Sequence, residues 1–221
     1  MEFKKIVDHS EIIRSLERGK ELWGNVTIPL SYALQGDAWG VYIDGKLVGG
    51  FLIITRGNFR TLDLIPDHIK KTKLVSSLDE FDIVEPTAVW LEPKYQKKFV
   101  SIKVWTKLIS ETINTKKKTV LFAYNYNNRG LVTLYKKIAS KHLFIADRDG
   151  GAGINSHANV CVAYTTTQNL KVRLTLTIMA RYWRYLKKNL IHTKLYSGTI
   201  NRPQSLSTTS GESTEKFLGK S

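Results

Sequence analysis

The sequence predicts an α/β domain built on a mixed, mostly antiparallel central sheet with helices on both faces, plus a C-terminal helix. Three observations predict it: a hairpin signal early in the chain, strand and helix periodicities that alternate after it, and a basic amphipathic stretch near residue 180. An antiparallel meander followed by alternating strands and helices indicates a sheet covered on both sides.

The hairpin is the strongest local signal. Ala38–Ile43 and Lys46–Thr55 are strand-like runs flanking Asp44-Gly45, a favoured tight-turn pair. Before it, residues 2–7 alternate as a first strand. Ser10 then reads as the N-cap of a helix carrying Ile12, Ile13, Leu16 and Leu22, which ends at Gly24. A short helical piece is expected at 31–35. After the hairpin, residues 67–79 read as a helical or irregular insertion. Thr87–Leu91 reads as a strand that stops at Glu92-Pro93, where proline removes a ladder donor.

The next helix is expected over 98–114, with Val100, Val104, Leu108 and Ile113 on one broad face. Thr119–Tyr124 reads as a buried strand. A helix over 128–140 follows, carrying Leu131, Leu134, Tyr135 and Ile138. Two last strands, near 142–147 and 158–165, flank the Gly-rich turn Asp149–Gly153. Further on, Val172, Leu174, Leu176 and Ile178 alternate as in a strand. Leu176, Met179, Trp183, Leu186 and Leu190 also share one helical face, with Arg181, Arg184 and Lys188 opposite, which favours a helix over 173–191. The expected organisation is a domain over 1–166, a basic amphipathic helix within 167–192 and a disordered Ser-, Thr- and Gly-rich tail over 193–221.

Composition limits the chemistry. At 221 residues with 42% apolar content, the chain suffices for one domain with a core and an appendage. No apolar run approaches the roughly 20 residues that span a bilayer. The first residues lack the apolar stretch of a signal peptide, so a cytoplasmic location is expected. Cys161 is the single cysteine, and His9, His68, His142, His157 and His192 are scattered, which argues against a metal or thiol enzyme. The net charge of +15, from 34 Lys and Arg against 19 Asp and Glu, favours a polyanionic partner. Nucleic acid, an anionic membrane and a phosphorylated cofactor all fit that charge.

Two junctions carry more specific information. The first is Gln96-Lys97-Lys98-Phe99-Val100-Ser101, at a helix start just after the strand ending in Leu91. The second is Asn128 followed seven residues later by Tyr135 on the same helix, with Ala139-Ser140 shortly after. With the order of elements over residues 2–166, they resemble the GCN5-related N-acetyltransferase superfamily, whose members have the acyl-CoA N-acyltransferase fold. There the first junction reads Gln/Arg-x-x-Gly-x-Gly/Ala, and backbone N–H groups at the helix start hold the pyrophosphate of coenzyme A. Here Gln96 fits, Phe99 replaces the first glycine and Ser101 the second small residue.

The resemblance implies an acyl-CoA-dependent N-acyltransferase that moves an acetyl or other acyl group from coenzyme A to an amine acceptor. Leu91, Gln96, Lys97, Lys98, Phe99, Val100, Ser101 and Asn128 would hold acetyl-CoA or another acyl-CoA as co-substrate. Tyr135 would protonate the leaving thiolate. Glu85, or Glu92, would supply the general base. The acceptor would enter beside residues 20–36 and 56–84. Other readings stay open: a catalytically silent relative on this scaffold, or nucleic-acid or anionic-membrane contact through Arg181, Arg184, Lys187 and Lys188.

Overall fold

The computed structural model describes residues 1–23, 26–146, 160–173, 175, 176 and 179. The chain divides into two compact units, Met1–Thr177 and Ile178–Ser221, and every element below belongs to the first. The Gly-rich turn at 149–153, the disordered-tail expectation and the basic residues Arg181, Arg184, Lys187 and Lys188 lie outside the described residues.

Strand β1 (Glu2–Ile6) leads into helix α1 (His9–Leu22). The cap is Asp8 rather than Ser10: an Asp8 carboxylate oxygen accepts from the Glu11 N–H at 2.9 Å, and Ser10 bonds to Asp8 instead. Two good capping residues stand two positions apart, and the carboxylate takes the free helix donor. The short helix α2 (Leu30–Ala33) precedes β2 (Gly36–Ile43) and β3 (Lys46–Ile54). Asp44 and Gly45 both adopt positive φ, 50° and 73°, the backbone that a two-residue hairpin of this twist requires.

The insertion begins earlier than the sequence pattern indicates. It forms three single-turn helices, α3 (Arg60–Asp63), α4 (Asp67–Lys70) and α5 (Lys73–Ser76). Strand β4 (Ile83–Leu91) also starts four residues before the predicted Thr87. Helix α6 (Lys98–Asn114) has the predicted ends, because its apolar periodicity is regular throughout. Strand β5 (Thr119–Asn125), helix α7 (Arg129–Ile138) and strands β6 (Lys141–Ile145) and β7 (Val160–Thr166) complete the sheet. After β7 the chain turns helical at 167, ahead of the expected 173, where the Thr166 hydroxyl accepts from the Asn169 N–H.

The seven strands run in the order β1-β2-β3-β4-β5-β7-β6, antiparallel except for the pair β4/β5. This is the mixed, mostly antiparallel sheet that the sequence predicts. One apolar layer, including Ile12, Leu16, Tyr32, Ile54, Ile83 and Leu121, fills the face under α1, α2 and the insertion. The other, including Phe51, Val84, Val104, Leu108, Phe122 and Leu170, lies under α6, α7 and the turns after 167. Burying such side chains on both faces supplies the main driving force for the fold.

Two departures from regularity shape the centre of the sheet. Strands β4 and β5 pair only through Ile83 with Thr119 and Val84 with Val120, and then diverge. Pro86 falls just beyond that last pair, where a strand tolerates a residue without an N–H. In addition, β4 bulges against β3: Trp90 pairs with Gly50 and Thr87 with Leu52, so Ala88 and Val89 together face Phe51. Ala88 takes φ 53°, a left-handed conformation costly for a residue with a Cβ. Gly50 is required opposite: a Cβ there would lie 2.8 Å from the Trp90 indole nitrogen and 2.9 Å from the Ser15 hydroxyl.

The strained backbone at Ala88 gives a stability prediction. Ala88→Val should destabilise the fold by about 1–3 kcal/mol, since a β-branched residue resists positive φ. Ala88→Gly should stay within about 1 kcal/mol of the parent, because relief of strain offsets the added chain entropy. Urea denaturation of the three proteins measures both.

Candidate active site

Divergence of β4 from β5 opens the middle of the sheet. Although β4 is a central strand, residues 86–89 are partly exposed, while Ile83, Val84, Trp90 and Leu91 at its ends are buried. Past Val84 and Val120 the facing edges of the two strands have no mutual ladder. Unpaired peptide groups of this kind are strong donors and acceptors that need a partner. One is already engaged: the Trp23 indole, at the end of α1, donates to the Val89 carbonyl at 3.0 Å.

At the mouth of the cleft, β4 turns into α6 through a single 3₁₀ turn, Pro93–Tyr95. The Gln96 side-chain amide donates to the Leu91 carbonyl at 2.8 Å and so ties the end of β4 to the start of the helix. Gln96 therefore positions this junction. Helix α6 has no side-chain cap and no acidic residue in its first turn. The Ser101 N–H bonds the Lys97 carbonyl at 3.0 Å, so the N–H groups of 98–100 stand ahead of the first intrahelical bond. With Lys97 at the positive end of the helix dipole, this terminus is unfavourable alone and favourable beside an anion.

Phe99 replaces a glycine of the family pattern without filling the cleft. Its side chain is 68% exposed, and the Lys103 ammonium sits over its ring at 4.5 Å. Val100 packs on the α6 face of the core, Ser101 is half-buried, and Leu91 is buried beneath them. The residues present thus fit a phosphorylated, elongated ligand: an uncapped helix start for the anion and an open strand edge for an amide-bearing arm.

On α7, the Tyr135 ring stacks on Phe122 and Tyr124 of β5, at 4.8 Å from each centroid, and meets Trp105 of α6 edge-on at 6.1 Å. Burial raises the proton affinity of its phenol, so it stays protonated at neutral pH. The Asn128 side-chain oxygen accepts from the Gly130 N–H at 3.1 Å, capping α7 and fixing the helix that carries Tyr135.

The two candidate bases have different surroundings. Glu92 is bridged by Arg18 at 3.5 Å and Lys94 at 3.1 Å, which makes it an ion-paired clasp at the end of β4. Glu85 is 1% exposed and lies on the other face, under α2 and α3. Thr61 donates its hydroxyl to one carboxyl oxygen. The second oxygen and the Tyr32 hydroxyl are both buried without a hydrogen bond of ordinary geometry, yet close enough to affect each other's proton affinity. Burial is the main cause that raises the Glu85 pKa, against the Thr61 and Tyr32 hydroxyls and the Arg60 charge, which lower it. A raised carboxyl is the form of glutamate suited to accept a proton near neutrality.

Tyr32, Arg60 and Thr61 were not among the candidates read from the sequence. Nothing local marks them, since they reach Glu85 only through the packing of α2 and α3 on β4.

No family model matches the chain, and no curated protein matches it significantly. Solved structures do. The chain is similar to FeeM, an N-acyl amino acid synthase from uncultured soil microbes, with 14% identity over 78% of this chain and 93% of that one, at TM-score 0.55. It is also similar to an acetyltransferase of Bacillus subtilis in complex with CoA (12% identity, 74% and 97% covered, TM-score 0.46). A GNAT-family acetyltransferase of Elizabethkingia anophelis with acetyl-CoA bound matches likewise (12%, 75% and 97%, TM-score 0.45). The fold is the acyl-CoA N-acyltransferase fold.

The buried carboxyl makes stability depend on pH in a definite direction. Below the ordinary glutamate value of 4.5, folded and unfolded chains both hold the Glu85 proton, and its contribution is complete. As pH rises through the raised folded value, the unfolded carboxylate ionises freely while the folded one resists, and stability falls. Glu85→Gln should therefore gain on the parent as pH rises from 4.5 towards the raised folded value, by about 1.4 kcal/mol per pH unit that burial adds to the pKa. Melting temperatures of both proteins across that range measure it.

Proposed function

We propose that this protein is an acyl-CoA-dependent N-acyltransferase that moves an acyl group from the thioester of coenzyme A to an amine. The observation that carries the reading is the unpaired central edge of β4, partly exposed at 86–89 and aligned with the uncapped start of α6. The N-acyltransferase fold supports it.

The co-substrate supplies an acyl group activated as a thioester. In this reading, the N–H groups of 98–100, with Lys97, Lys98 and Ser101, bind its phosphates, and the open edge from 86 to Leu91 hydrogen-bonds its amide-containing arm. A backbone N–H at the Ala88–Val89 bulge stabilises the carbonyl oxygen as negative charge develops there. The acceptor nitrogen attacks the carbonyl carbon and the C–S bond breaks. The proton lost by nitrogen is taken up by Glu85, and Tyr135 gives its phenolic proton to the departing sulfur. The products are an amide and a free thiol, and exchange of one proton through solvent restores both side chains. Asn128 and Gln96 position α7 and the strand–helix junction.

Calorimetric titration with acetyl-CoA and a longer acyl-CoA tests the binding half. Saturable binding of at least one thioester is expected, and it should persist in Tyr135→Phe, which keeps the aromatic stack. With an accepted amine, that variant should lose roughly a hundredfold in kcat with little change in the thioester KM. Absence of binding by either thioester contradicts the proposal.

A further inference from the structure

The Glu85 cluster contains a cation that the transfer reaction itself does not use. Arg60, at the start of α3, is half-buried, and its guanidinium lies 5.6 Å from the Tyr32 ring centroid. It bears on Glu85 and Tyr32 alike, lowering the proton affinity of both. Among the described residues, however, no carboxylate comes within ion-pair distance of it. The ion pairs present involve other cations, such as Arg18 with Glu92 and Lys5 with Asp37. Glu85 itself uses one oxygen for Thr61 and has the other beside the Tyr32 hydroxyl, both buried and without a partner of ordinary geometry.

A guanidinium carries five donors in a planar fork that matches a carboxylate. On the same face of the sheet, one ring away, sits the carboxyl assigned to take the proton from the acceptor. An acceptor with a carboxylate close to its amine can engage the half-buried guanidinium, whereas a simple amine cannot. The net charge of +15 disfavours a cationic amine more than a zwitterionic amino acid, whose own net charge is zero.

We propose that Arg60 anchors a carboxylate on the acceptor, so that the amine acylated here belongs to an amino acid. This inference rests on the transferase reading and supplies its acceptor class. Arg60 then sets specificity: it holds the carboxylate while the amino group faces Tyr32 and Glu85.

The experiment uses the full chain and four matched pairs of acceptors: glycine and methylamine, leucine and isopentylamine, phenylalanine and phenethylamine, tyrosine and tyramine. Thiol release from acyl-CoA is followed for the parent, Arg60→Gln and Arg60→Lys. Thermal shift with the same acceptors in the presence of coenzyme A reads binding without turnover. The expected result is preference for at least one amino acid over its amine. Arg60→Gln should cut the preference for that amino acid over its matched amine roughly tenfold or more, mainly by raising the KM of the amino acid, and be partly rescued by Arg60→Lys.

Equal use of amino acids and amines by the parent overturns the proposal. So does an equal loss of both in Arg60→Gln, which would make Arg60 only a charge partner of Glu85. Thiol release from none of the acceptors removes the transferase reading, and the thermal shifts then decide the anchor alone. Stabilisation by an amino acid that Arg60→Gln abolishes supports it, and no amino-acid stabilisation overturns it.

Discussion

Val84 opposite Val120 is the last point at which the two halves of the sheet are joined by a ladder, and the site depends on what happens just beyond it. Had β4 and β5 stayed paired, the sheet would be continuous and residues 86–89 would be buried like the ends of their strand. Divergence leaves polar backbone at the centre of the domain, a cost that folded proteins accept where a ligand or side chain satisfies it. The same stretch carries the bulge and the positive φ of Ala88, so opening and strain coincide. Packing on both sides holds this arrangement. The Trp90 indole reaches Ser15 at 3.3 Å on α1, and Gln96 ties Leu91 to α6.

The second constraint is the carboxyl buried at Glu85. An isolated charge in a core is expensive, and such groups shift their pKa or find hydrogen bonds. Here both occur. Thr61 satisfies one oxygen, and the raised pKa lets the group hold a proton. A purely structural core position would be better served by an apolar residue of the same size. In the proposed reaction that proton is used, and the packing of α2 and α3 on β4 then serves chemistry as well as the core.

Much of the fold was legible because local rules agreed with the tertiary outcome. The Asp44-Gly45 hairpin and helix α6 combine turn chemistry or periodicity with burial, and both emerge as read. The start of β4 was obscured because Glu85 and Pro86 interrupt an apolar run, and only distant residues on α2 and α3 make that glutamate acceptable in a core. The Ser10 cap failed for a simpler reason: Asp8 is as good a cap and stands where the helix begins. At the site, the motif located the α6 junction. It did not reveal that Phe99 faces solvent, that Gln96 bonds Leu91, or that Arg60, Thr61 and Tyr32 meet at Glu85. Those facts belong to side-chain packing between segments far apart in sequence.

Amide hydrogen exchange, with and without acetyl-CoA, tests the central claim that the opening between β4 and β5 is the ligand cleft. The account predicts new protection confined to the amides of 87–91 and 98–100, with the N–H groups of β2 and β3 unchanged. Binding that protects other surfaces and leaves both of those segments exchanging as before would contradict it.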